Sequence, residues 1–126
     1  MAILPAKVNS PQNHLDKIIT HTYSVCMGTI QFFDWDHNQD SANLKKHGVS
    51  FEEASEVFYD EDAILIYDAD HSHTEDRFLL LGLSMKPKLL IVCHCAKNDG
   101  DTIRIISARK ANKNETEIYR GKSHER

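Results

Sequence analysis

Residues Asp101–Arg109 read DTIRIISAR, and the fold turns on whether this stretch is a strand. Ile103, Ile105 and Ile106 are β-branched side chains of the kind a pleated, half-buried surface takes up. Successive side chains of a strand point to opposite faces, so Arg104 shares a face with Ile106 and Ala108, while Ile103, Ile105 and Ser107 take the other. A guanidinium among small and apolar neighbours on a rigid element is well placed to grip an anion. Arg109 falls on the opposite parity. Both arginines can address one site only if the strand ends, bends or bulges near Ser107.

Working outward, Asn98-Asp99-Gly100 is a turn signal, and Leu89–Cys95 is the strand before it. Lys86-Pro87-Lys88 links that strand to Arg77–Met85, where Arg77, Leu79, Leu81 and Leu83 alternate with Phe78, Leu80, Gly82 and Ser84. Both faces of this strand are apolar, which predicts a central place in the sheet. The three form an antiparallel meander, preceded by a strand at Ala63–Tyr67 and the polar loop Asp68–Glu75. Ser50 and Glu53 make a capping box, with Val49 and Ala54 placed for a hydrophobic staple, opening a helix at Phe51. Its Phe51, Ala54 and Phe58 line one stripe, and Tyr59-Asp60-Glu61-Asp62 ends it.

An earlier helix of about three turns is expected from an N-cap at Asp36 or Asn38 to a left-handed terminator at Gly48. Lys45, Lys46 and His47 lie in its last turn, at the negative end of the helix dipole. Thr29–Phe33 reads as a strand before it, and Leu15–Ile19 as a short helix. Asn112 with Glu115 offers a second capping box, opening a helix that carries Glu117, Tyr119 and Arg120, with a tail from Gly121. The fold class expected is α+β: two N-terminal helices and one C-terminal helix packed on one side of a mostly antiparallel sheet of four or five strands.

A chain of 126 residues fits one domain that buries its own core. Residues 1–26 carry Pro5 and Pro11 without periodicity and read as a leading extension, with Met27 as the natural start, 27–120 as the domain and 121–126 as a tail. No apolar run approaches the roughly 18 residues that cross a bilayer, and no secretory signal is legible, so a cytoplasmic protein without a membrane partner is expected. Cys26, Cys93 and Cys95 make an odd count that argues against a disulfide framework. The charge is segregated. Residues 1–76 carry 4 Lys and Arg against 14 Asp and Glu, whereas residues 77–126 carry 11 against 5. A basic C-terminal half suits a phosphate backbone, and an acidic N-terminal half suits a basic protein.

Asp34-Trp35-Asp36, the run from Asn43 to Ala54, Asp76-Arg77-Phe78 and the run from Ile103 to Arg109 together resemble the BrnT family of ribonuclease toxins, over about Phe33 to Tyr119. The resemblance implies a RelE-like fold and an endoribonuclease that needs no metal or other cofactor and arrests translation. It also implies neutralisation by a DNA-binding antitoxin, BrnA, with operator DNA contacted through the antitoxin as the complex represses its own operon. The histidine-rich loop at His71-Ser72-His73 and the weakly basic Lys110-Ala111-Asn112 depart from the family pattern.

Cutting RNA without a metal requires a base for the 2′-hydroxyl proton, cations for the phosphorane and an acid for the departing 5′-oxygen. Arginine matches phosphate bidentately and keeps its charge, which nominates Arg77, Arg104 and Arg109; on this reading Arg104→Ala abolishes toxicity. Lys46, His47 and His94 are the candidates for proton transfer, and Lys45, Lys110 and Tyr119 for RNA binding. Structural alternatives stand beside these: His94 as a core histidine, Tyr119 as packing, Arg109 as cover for the last helix. Two other functions remain open, a catalytically silent partner of a DNA-binding regulator and a metal-dependent hydrolase using the His71–Glu75 loop.

Overall fold

The computed structural model describes residues 18–19, 30, 32–72, 74–97 and 100–124. Its strands are β1 (Ile18–Ile19), β2 (Phe32–Asp34), β3 (Ile64–Tyr67), β4 (Phe78–Leu83), β5 (Leu89–Lys97) and β6 (Thr102–Lys110). The helices are α1 (His37–His47), α2 (Phe51–Glu56) and α3 (Lys113–His124). Among the described residues the sheet runs β1-β3-β4-β5-β6-β2. β3 to β6 pair antiparallel in chain order, whereas β2 lies parallel to β6, so the sheet is mixed rather than a simple meander.

Local signals set the helix boundaries. Asp36 caps α1 by accepting from the Asn38 and Gln39 amides at 2.7 and 3.2 Å, and Gly48 closes it at φ 73°. Ser50 caps α2 by accepting from the Glu53 amide. The buried Glu53 carboxylate accepts from Ser84 Oγ at 2.9 Å, fixing α2 to the end of β4. Asn112 and Glu115 form the reciprocal box at the start of α3, each side chain accepting from the other's amide at 2.8 Å.

The helices occupy both sides of the sheet, not one. Phe51, Ala54, Val57 and Phe58 pack on Leu65, Leu80, Val92 and Ile105. On the opposite face Tyr119 of α3 packs on Ile64, Leu81 and Ile91. The reason is legible in β3 to β5, whose alternating positions are apolar on both faces, so each face needs cover. Helix α3 also runs through Gly121 to His124 instead of ending in a tail there, because Gly121 does not take up the left-handed conformation that would stop it. Ile18 and Ile19 pair with Ile66 and Leu65 as a strand rather than joining a helix; the open β3 edge offers their backbone partners. The rest of 1–26, Met27 and the Asn98-Asp99 turn lie outside the described residues.

Candidate active site

Where β5 meets β6 the register slips by one residue. Cys93 faces Ser107 and His94 faces Ile105, leaving Ile106 as the extra residue of a bulge in β6. The bulge inverts the parity of everything after it. Ile103, Ile105 and then Ala108 all enter the α1/α2 core, and Ser107 and Arg109 come onto the face that Arg104 already occupies. The condition for two arginines on one face is therefore met at Ile106.

That face holds an open pocket of about 430 Å³. Arg77, Leu79, Ile91, Cys93, Ser107 and Arg109 form its sheet wall, and His47, Asp68 and His71 stand around it. Helix α1 reaches this face because of Asn43. Strand β2 pairs with Thr102–Arg104, and among the described residues the later edge of β6 has no strand partner there. The buried Asn43 carboxamide takes that role: its Nδ2 donates to Ala108 O at 2.8 Å and its Oδ1 accepts from Ala108 N at 3.1 Å. Nδ2 also donates to Val49 O at 2.9 Å, tying the α1 terminus to the start of α2. One turn after Asn43, His47 is thereby held at the pocket rim.

The arginines differ in what already holds them. Arg77 lies 3.7 Å from Glu75 through Nε, too far for a hydrogen bond, and that buried Nε has no hydrogen-bond partner among the described residues. A buried donor left unpaired is costly, so this guanidinium is the less satisfied of the two that line the pocket. Arg109 is bidentate to Glu115 at 2.8 and 2.9 Å, an arrangement that raises the Arg109 pKa and lowers that of Glu115. Arg104 donates to Asp34 at 2.9 Å on the neighbouring strand and does not line the pocket.

The other expected residues are dispersed. His94 is fully buried on the α2 side against Phe58 and Phe78, with Nδ1 3.1 Å from Val92 O; burial drives its pKa down to about 4, against the smaller opposing effect of that hydrogen bond. Lys45, Lys46 and Lys110 are exposed and line no part of the pocket. Tyr119 is buried under α3, its hydroxyl donating to Asp60 at 2.7 Å. Of the thiols, Cys93 lines the pocket, but burial, then the Asp68 charge, push it up to about 11, so it stays protonated near neutrality.

The loop from Asp68 to Arg77 is built tightly over the part described. Ser72 Oγ donates to Asp68 O at 2.6 Å and accepts from Arg77 N at 2.9 Å, while Asp68 N donates to Arg77 O. This brings the Asp68 carboxylate to 3.0 Å from Nδ1 of His71. Among the described residues no three His, Cys, Asp or Glu side chains converge on one point, and His73 lies outside them. Asn43 carries no sequence signal for its edge-capping role, since its partner is 65 residues away. In the sequence Asp68 and His71 stand only as members of the polar loop Asp68–Glu75, with nothing to make them neighbours of Arg77 in one pocket.

Fold and pocket together define a small α+β protein with a cationic site on a sheet face. The model of a family described as the ribonuclease toxin, BrnT, of type II toxin–antitoxin systems matches residues 35–115, and the chain belongs to that family. A crystal structure of the Brucella abortus ribonuclease toxin, BrnT, superposes with a TM-score of 0.51 at 19% identity, covering 66% of this chain and 99% of that one. No match is found among curated proteins.

Proposed function

We propose that the chain is an endoribonuclease acting in the cytoplasm, cutting RNA without a metal and so inhibiting translation. A BrnA-like DNA-binding antitoxin neutralises it, and the pair represses its own operon through the antitoxin's contact with operator DNA. The fold is read as RelE-like. The observation that supports the catalytic reading is that Arg77, whose Nε lacks a hydrogen-bond partner among the described residues, lines one pocket with Arg109 and His47.

In this reading the scissile phosphate sits against Arg77, whose guanidinium donates to a non-bridging oxygen, with Arg109 adding charge from the same wall. The 2′-oxygen gives up its proton and attacks phosphorus. The phosphorane then expels the 5′-oxygen, which takes a proton, leaving a 2′,3′-cyclic phosphate and a 5′-hydroxyl. His47 is placed to exchange one of these protons with the substrate.

The experiment is inducible expression in a bacterium with and without the adjacent antitoxin gene, followed by mapping of RNA ends formed by the purified chain in chelator. Arrest relieved by the neighbour, with 5′-hydroxyl ends that persist in chelator, supports the reading. A second reading, a silent binding partner of a DNA-binding regulator, draws on the carboxylates that already neutralise Arg104 and Arg109. Tight partner binding by abundant folded protein that yields neither arrest nor new ends would favour it.

A further inference from the structure

Resting on the ribonuclease reading, we infer that His71, oriented by Asp68, is the general base that takes the 2′-hydroxyl proton. Histidine 71 closes a single 3-10 turn, Ala69–His71, in the loop that Ser72 ties at both ends. Its Nδ1 meets both Asp68 oxygens, at 3.1 and 3.0 Å. A carboxylate only accepts, so the proton of neutral His71 sits on Nδ1 and the lone pair is on Nε2. That tautomer is the one a base needs, and the carboxylate stabilises the imidazolium formed once the proton arrives.

Two facts separate this pair from an ordinary surface ion pair. His71 and Asp68 border the same pocket as Arg77 and Arg109, so an RNA held there by the arginines shares the pocket with the imidazole. The Asp68 side chain is only 13% exposed whereas that of His71 is 67% exposed, an arrangement with the orienting group sheltered and the ring open to solvent at the pocket rim. The fully buried His94 faces the other side of the sheet and cannot serve.

The steps balance: the 2′-hydroxyl proton passes to Nε2, the oxygen's electron pair forms the new P–O bond, and the P–O5′ bond breaks with its pair on O5′, which takes a proton from solvent or from a second acid. The imidazolium then returns its proton to solvent.

The test compares wild type, His71→Gly and Asp68→Asn on an oligoribonucleotide, with a 2′-deoxy oligonucleotide to measure binding. The expected result for His71→Gly is a fall in kcat of ~10²–10³ with binding within about twofold of wild type, restored in part by added imidazole. Asp68→Asn, which can donate to Nδ1 and so turn the proton onto Nε2, is expected to lose at least about tenfold in kcat. Undiminished cleavage by His71→Gly overturns the assignment and leaves the ribonuclease reading standing. A loss without imidazole rescue, or one accompanied by weakened binding, assigns His71 to substrate contact and also overturns it. If the wild-type chain cuts no RNA, the ribonuclease reading itself falls, and the base with it.

Discussion

Asn43 on α1 and Ala108 on β6 exchange two hydrogen bonds, at 2.8 and 3.1 Å, across 65 residues of sequence. A side-chain amide here completes a sheet edge where strand β2 stops, and α1 is carried to the pocket as a result. Removing it leaves the Ala108 amide and carbonyl without the partners Asn43 supplies and also removes the bond donated to Val49 O. Asn43→Ala should therefore cost about 3 kcal/mol in urea unfolding. A loss below about 1 kcal/mol would mean that water or a shifted α1 satisfies the edge.

Gly82 sits under the 3-10 turn that follows α2. A Cβ there would meet Ala63 Cβ and Val57 Cγ1 at 2.9 Å and Asp60 Oδ2 at 3.0 Å. Asp60 is not free to move, since that oxygen also accepts from Leu83 N and Tyr119 Oη. Gly82→Ala should destabilise by about 1–3 kcal/mol, measured as a lowered urea midpoint at unchanged slope.

Arg77→Ala should lower RNA cleavage by ~10²–10³ while the circular dichroism spectrum and melting temperature stay near wild type. Arg104→Ala should do less, because Arg104 is held by Asp34 outside the pocket. Equal losses from the two would place the phosphate further along the sheet, toward Cys95.

His94 gives a stability step with a defined sign. Its folded pKa, lowered to about 4 by burial, lies below the unfolded value of 6.5, so the unfolded chain binds more protons between those limits. The contribution is fully present above pH 6.5 and is lost as pH falls toward 4, by ~3 kcal/mol at about 1.4 kcal/mol per pH unit. His94→Phe, which keeps the ring among Phe58 and Phe78, should flatten that part of the stability profile. A profile as steep as wild type would assign the step to other groups.

The Arg109–Glu115 pair titrates lower. The guanidinium holds the Glu115 carboxyl below its usual range, so its stabilisation is present above the ordinary Glu pKa and disappears as pH falls through the lowered one. Both groups are partly exposed, which screens the pair, and Glu115→Gln should cost about 1 kcal/mol at neutral pH. The difference from wild type should vanish in acid.

The sequence by itself determined what depends on neighbours a few residues apart. Asp36 and Gly48 bound α1, Ser50 opens α2, and Asn112 with Glu115 opens α3, because caps are local hydrogen bonds. Apolar runs bounded by turn signals marked the strands from β3 to β6, and Arg104 and Arg109 stood out as cations a strand core does not need. Tertiary structure decided which face each arginine takes, because a one-residue bulge at Ile106 inverts parity and DTIRIISAR carries no mark of it. It also decided that His94 is core while His71 stands at the pocket, and that Asn43 caps a sheet edge. These outcomes depend on packing and pairing between separate elements, such as Cys93 with Ser107 at the bulge, His94 with Phe58 in the core and Asn43 with Ala108 at the edge, separations over which local pattern exerts no constraint.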